Sequence, residues 1–392
     1  MCMRNVALLF LLFLTSSNYT IAQVSDLQAY QDSIRRALQE FRTSNGKEAT
    51  VSALLSEYEA YNNQILADFE AFKAKMEQKW GSFKKRSNTQ WVEYIDEGNT
   101  RVEVDFKVDK VTIDFLYEDP DDAKNTVQEL PYKILDVINN QATELGFKTD
   151  NKPMLNEPVL NGKLDKQPRE SNQEYALRVL QENDIDVKPV VGKDSLERVM
   201  VSINFSLASK AIQTRVKKVQ DFVYHFSSAY NIPPPLVFAI IHTESFFNPM
   251  AQSPANAYGL MQLVPTSGGA DAYRSVHNSD GYPTPEFLFI PENNVELGCA
   301  YIDILLNRYL NEISNVLTRQ YLVIAAYNTG VSNVYKAYAP NGSKSRAIAQ
   351  IQSMTPQDNY EYLIQNLPYE ETIDYLKKVV DRSILYESWS EN

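Results

Sequence analysis

The stretch Leu236-Val237-Phe238-Ala239-Ile240-Ile241-His242-Thr243-Glu244-Ser245-Phe246-Phe247-Asn248-Pro249, followed by Gly259-Leu260-Met261-Gln262, decides how the C-terminal half of this chain reads. A helix is expected from Leu236 to about Phe247. Asn231 offers a capping side chain, and Pro233, Pro234 and Pro235 lack N–H groups that would have no intrahelical partner at a helix start. On that helix Val237, Ile240, Ile241 and Glu244 share one face at spacings of three, four and seven. A carboxylate on an apolar face is costly to ionise, so its pKa is expected to rise and Glu244 to stay protonated near neutral pH, as a general acid must. A buried glutamate satisfied by its neighbours fits the same spacing. Asn248-Pro249 ends the helix and turns Glu244 toward an irregular loop. There Gly259 permits a close backbone bend, and Gln262 supplies a neutral donor and acceptor suited to sugar hydroxyls and N-acetyl groups.

Outward from this stretch, helix patterns punctuated by prolines run from Ala208 to the end, so residues 209–392 are expected to form an all-α domain. Before it the period changes. Val102, Val104, Phe106 and Val108 alternate with polar residues, Asp109-Lys110 can turn the chain, and Val111, Ile113 and Phe115 alternate again, which predicts a β-hairpin. A third strand is expected over Val199–Leu207, helices over Asp121–Leu145 and Ser171–Gln181, and a polar loop over Asp150–Pro168. Residues 89–208 thus read as a small mixed α/β domain, with no catalytic constellation of its own. Residues 23–88 read as a helical segment broken at Thr43–Lys47, packed on its own domain or offered to a partner.

The N-terminus carries Arg4, an apolar run from Val6 to Leu14, and Thr20-Ile21-Ala22, the pattern of a secretory signal over residues 1–22. The apolar run is about half a bilayer span. No cysteine follows it for lipid attachment, so a periplasmic protein is expected, associated with the outer membrane, if at all, by other means. Cleavage would leave Cys299 alone within Leu297-Gly298-Cys299-Ala300-Tyr301, where a packing thiol is expected. With a net charge of −12 and no long basic run, nucleic acid is not an expected partner. Only His225, His242 and His277 are present, none at a metal-ligand spacing, so neither metal nor cofactor is expected.

Glu244-Ser245, Asn248-Pro249, Ala251, Ser253 and Gly259-Leu260-Met261-Gln262 stand in a specific order. Ala326-Tyr327-Asn328 with Gly330, and Leu367-Pro368-Tyr369 with Glu371, Thr372 and Tyr375, follow. In these motifs residues 211–392 resemble the lytic transglycosylases with a soluble-lytic-transglycosylase, goose-lysozyme-like catalytic domain. His242-Thr243-Glu244-Ser245 and the segment from Pro283 to Asn294 resemble the membrane-bound murein members of that family, as do Trp91, Tyr94 and the hairpin after Arg101. The fold the resemblance implies is multidomain α+β: N-terminal helices and a small mixed domain ahead of an all-α lysozyme-like domain. It implies Glu244 as catalytic acid/base, with Ser253, Gln262, Tyr327 and Glu371 around the sugar. Taken one by one, Ser253 also fits a turn and Tyr327 helix packing. Asn256 stands where the family commonly has glycine, and is expected to hold the same left-handed backbone.

The expected substrate is the peptidoglycan glycan strand, cleaved between N-acetylmuramic acid and N-acetylglucosamine with closure of a 1,6-anhydro ring. Glycosidases usually need two carboxylates, and none beyond Glu244 lies in the motif. A hydrolase on the same fold would need a carboxylate or amide positioned opposite Glu244, for which Asp271 is the candidate. A non-catalytic wall-binding or scaffold protein would keep the groove and lose turnover. Residues 23–208 are a candidate surface for an envelope partner, and oligomeric state is not legible.

Overall fold

The computed structural model describes residues 67, 69–119, 129–139, 159–160, 163–208, 211–278 and 281–390. The expected signal, the helical break near Thr43–Lys47, and parts of the helix and loop expected between 121 and 168 lie outside the described residues. The chain divides into two compact units, Met1–Thr214 and Arg215–Asn392.

In the first unit a helix over 69–80 (α1) precedes an antiparallel sheet of β1 (Gln90–Ile95), β2 (Thr100–Asp105), β3 (Lys110–Tyr117), β4 (Ile185–Val191) and β5 (Glu197–Ser206), in the order β1-β2-β3-β5-β4. Between β3 and β4 lie α2 (Leu130–Asn139) and α3 (Asn172–Glu182). Ser171 caps α3 in a capping box with Glu174. Side chains alternate across the sheet. One face, carrying Val102, Val104, Val111, Ile113 and Phe115, is wholly buried, and Tyr175 of α3 meets Phe205 edge to face at 6.2 Å. On the other face Met76 and Trp80 of α1 pack with Val92, Tyr94, Leu116 and Met200.

Two strands escaped the sequence patterns. β1 is buried along most of its length, Glu93 included, so it shows no wet alternation. β4 is an edge strand, mostly exposed and interrupted by Pro189, which only an edge tolerates. The expected hairpin forms, but Phe106 and Val108 belong to its turn. The Asp105 carboxylate accepts from the backbone N–H groups of Lys107 and Val108, and Asp109 takes φ 51°, so local turn chemistry overrides the apolar alternation.

Among its described residues the second unit is helical, the only other pairing being the isolated bridges Gln252–Tyr258 and Tyr258–Leu263. Its elements are α4 (Ala211–Ala229), α5 (Pro234–Ser245), α6 (Gly268–His277), α7 (Pro285–Phe289) and α8 (Pro291–Ile304), the last running into a π turn over Leu305–Tyr309. They continue with α9 (Val316–Thr329), α10 (Val331–Tyr338), α11 (Lys344–Gln352), α12 (Pro356–Asn366) and α13 (Glu370–Ser390). Asn231 does not cap α5, as its sequence position suggests. It sits at φ 52° and closes α4, with Ile232 N–H donating to Ser227 and Asn231 N–H to Ser228, a Schellman ending. Helix α5 therefore starts on Pro233 without a side-chain cap. It is buried from Leu236 through Ile241, so it is the central helix of its unit, wrapped rather than faced by apolar neighbours.

Candidate active site

Helix α5 ends at Ser245, earlier than Asn248-Pro249 requires, because Phe246 (φ 51°) and Phe247 (φ 60°) both adopt left-handed backbone. Glu244 consequently occupies the last turn of a buried helix. Ser245, fully buried, donates its hydroxyl to Leu260 O at 2.7 Å and shares it with Ile241 O at 3.0 Å. This bond ties the Gly259–Gln262 turn to the residue beside the acid.

The turn itself is built around Asn294 of α8, which is wholly buried. Its Nδ2 donates to Tyr258 O (2.9 Å) and Leu288 O (2.8 Å), and its Oδ1 accepts from Met261 N (2.7 Å). Gly259 lies at φ 73°, where a Cβ would stand 2.2 Å from Leu288 O and 2.4 Å from Asn294 Nδ2, so only glycine fits. Gln262 Nε2 donates to Ala251 O and Gly259 O, while its buried Oε1 has no partner. Asn256 holds φ 67°, the left-handed backbone expected of it. Ser253 accepts from the N–H groups of Ala255 and Ala257 at 3.2 and 3.1 Å, which organises the loop and leaves its own O–H to donate elsewhere.

Burial pushes the Glu244 carboxyl up to about 8; the Glu371 charge adds to the rise and the Tyr375 hydroxyl opposes it. Tyr375 of α13 is buried, and its hydroxyl falls outside ideal hydrogen-bond geometry. It nevertheless faces Glu244 closely enough to favour the ionised form. Tyr327 of α9 donates to Met261 O at 2.8 Å. Burial and then the Glu244 charge push its phenol well above the ordinary range, so it is a neutral donor. Glu371 is exposed in the first turn of α13, beside Thr372, which donates to Asn328 Oδ1 at 2.7 Å and joins α13 to the end of α9.

Glu244, Tyr327 and Glu371 are thus brought together electrostatically, and Gln262 is reached from Tyr327 through Met261. Asp271 behaves differently. It is ion-paired with Arg274 at 2.7 Å on α6 and is not among the groups that perturb Glu244. Ser245, Tyr375 and Asn294 stand in the sequence motifs without an assigned role, and Arg382 stands in none of them. For Tyr375 a signal existed in its i, i+4 spacing from Glu371; for Asn294, only the polar residue inside a buried helix. Cys299 is fully buried, with its thiol pushed up by burial, a packing residue. Among the described residues no cluster of three or more His, Cys, Asp or Glu could hold a metal ion.

The family model described as Transglycosylase SLT domain matches residues 221–350. Membrane-bound lytic murein transglycosylase C of Pectobacterium atrosepticum is 32% identical over 294 residues, covering 72% of this chain and 78% of that protein. The Klebsiella pneumoniae protein of the same name is 41% identical over 182 residues, covering 46% of this chain and 50% of that one. Among solved structures, the 70 kDa soluble lytic transglycosylase of Escherichia coli is similar over 46% of this chain and 28% of its own, at 22% identity and TM-score 0.34. With that pattern of motifs, and a relative matched over most of its length, the chain belongs to the membrane-bound lytic murein transglycosylase C family and carries its transglycosylase SLT domain.

Proposed function

We propose that this chain is a peptidoglycan lytic transglycosylase in which Glu244 is the only general acid/base. The observation that carries this is a carboxyl at the end of a buried helix, protonated near neutrality, whose electrostatic neighbours are one exposed glutamate and two neutral tyrosine hydroxyls. Glu244 gives its proton to the oxygen bridging N-acetylmuramic acid and N-acetylglucosamine as the C1–O bond breaks. The substrate's N-acetyl group shares the positive charge developing at C1. The ionised Glu244 then takes the proton of the muramoyl C6 hydroxyl, whose oxygen bonds to C1 and closes the 1,6-anhydro ring. Protons balance over the cycle and no water is consumed. The low polarity that raises the acid's pKa also strengthens it as the base once ionised.

Around the sugar, Gln262 Oε1 is the unshared acceptor for an N–H or hydroxyl, Ser253 offers its O–H, Tyr327 holds the turn through Met261, and Glu371 lines the open side. A hydrolase would need a base opposite Glu244, and Asp271 is engaged with Arg274 instead. The domain organisation that fits is a signal over 1–22, a helical segment over 23–88, a mixed domain over 89–208 and the lysozyme-like domain over 209–392. An envelope location follows from the substrate, with the enzyme working in the periplasm. Among the described residues no helix is long and apolar enough to cross a membrane.

Digestion of purified sacculi tests the proposal. Products lighter than reducing-end muropeptides by one water are expected by mass spectrometry, and Glu244→Gln should abolish them. Reducing ends would assign hydrolysis, and clearing by Glu244→Gln at the wild-type rate would remove Glu244 from the chemistry.

A further inference from the structure

The first unit leaves part of one sheet face uncovered by any described element, and an open cavity of about 400 Å³ lies there, within the ~300–1,000 Å³ typical of small-ligand sites. The strand register supplies its floor. Arg101, Asp114 and Ser202 stand opposite one another on β2, β3 and β5, and Glu103, Thr112 and Asn204 form the next row. A polar sheet face is ordinarily a wet one. This floor is different: Arg101, Asp114 and Ser202 are 7%, 4% and 4% exposed.

Arg101 donates Nε and Nη2 to one oxygen of Asp114 at 3.1 and 2.7 Å, and Ser202 donates to the other at 2.6 Å. The Trp80 ring lies 4.4 Å from the guanidinium. Both carboxylate oxygens are thus engaged, and Arg101, which also faces the Tyr94 hydroxyl, is a side chain more than nine-tenths buried that lines the cavity. In the next row Thr112 donates to Asn204 Oδ1 at 2.8 Å, which leaves the Asn204 amide as a donor. Such a buried ion pair adds little net stability over apolar packing, so stability alone does not account for a floor of this kind. The lining carries four cations and four carboxylates. That balance suits neither a polyanion nor a neutral sugar.

We propose that this recess binds a short zwitterionic peptide of the class that forms peptidoglycan stems. Its carboxylate or amide carbonyls accept from Arg101, Asn204 and Lys110, and its free ammonium joins Lys84 at Glu103 and adds to the donors already on Asp105. The inference rests on the cell-wall substrate proposed above, and places recognition of the peptide apart from cleavage of the glycan.

Titration calorimetry of the full chain with a glycan-free stem tetrapeptide carrying its free amine tests it. Lys110→Glu and Asn204→Ala, both outside the catalytic machinery, are each expected to weaken binding about tenfold, the worth of one charge-assisted hydrogen bond. Acetylating the peptide amine should do the same, and neither variant should alter cleavage of peptide-free glycan. Equal binding by wild type and both variants, or no binding of the tetrapeptide by wild type, overturns the proposal. Sacculus digestion by the same preparations reports separately on Glu244, so a failed peptide site and a failed catalytic assignment give different results.

Discussion

Arg382 of α13 donates to the hydroxyl of Thr243 at 2.9 Å, and its guanidinium lies 5.0 Å from the Phe246 ring, so one cation clasps the residues on both sides of the Glu244-Ser245 pair. A cation at a helix C-terminus also offsets the helix dipole. Arg382→Met keeps the stem packing and loses the clasp. A stability loss of about 1–2 kcal/mol is expected in urea unfolding. Turnover should fall with KM little changed, because Arg382 holds the acid's helix and touches no sugar.

The pKa of Glu244, near 8 in the free protein, sets an alkaline limb for kcat/KM: activity is full below it and falls as the acid ionises above it. The neighbours move that limb in opposite directions. Glu371→Gln removes a charge that raises the pKa and shifts the limb down, whereas Tyr375→Phe removes a hydroxyl that lowers it and shifts the limb up. Initial rates on soluble glycan between pH 5 and pH 9 measure both, and shifts of the same sign would refute the assignment.

The same group makes a stability prediction. Its folded pKa is raised above the ordinary 4.5, so between about 4.5 and 8 the folded protein holds a proton that the unfolded chain has released, and stability falls as pH rises. Glu244→Gln removes this dependence. The melting temperature of the variant should exceed that of wild type at pH 8, with the gap closing toward pH 5.

His242 has the opposite sign. Burial, helped by the Arg382 and Arg215 charges, depresses its pKa from 6.5 to about 3, and Tyr386 Oη lies 3.0 Å from its Nδ1. Below pH 6.5 the unfolded chain gains a proton that the folded one refuses until about pH 3, so acid destabilises the protein across that window. His242→Gln is expected to flatten the loss of stability between pH 6.5 and 4 in denaturant melts, and an unchanged slope would exclude His242 as its source.

Asn294 is the pin of the loop that carries Gln262. Asn294→Ala removes the side-chain partner of Met261 N–H and of Leu288 O in the interior, while Tyr258 O keeps the N–H of Leu263. A loss of roughly 2–4 kcal/mol is expected, since each orphaned buried group costs about 1–3 kcal/mol. Sacculus-clearing activity should fall further than stability at 25 °C explains, because the sugar-facing turn loses its shape.

The amino-acid sequence alone determined the acid, the irregular turn that faces it and the change of period between the two units, because each rests on short-range rules: helical spacing, a proline stop, a glycine bend, strand alternation. Glu244, Gln262, β3, β5 and α3 were legible in this way. Tertiary structure alone decided what those rules do not contain. Asn231 closes α4 rather than opening α5, since the competing cap depends on which helix claims the left-handed residue. Edge strand β4 and buried β1 lack the alternation that marks a half-wet strand. The electrostatics of Glu244 come from Tyr375 and Glu371, and the clasp beside it from Arg382, all more than 120 residues away on α13. A raised pKa needs burial, and burial is a property of the packed chain: the helix supplied the carboxyl, and the helices around it made it an acid.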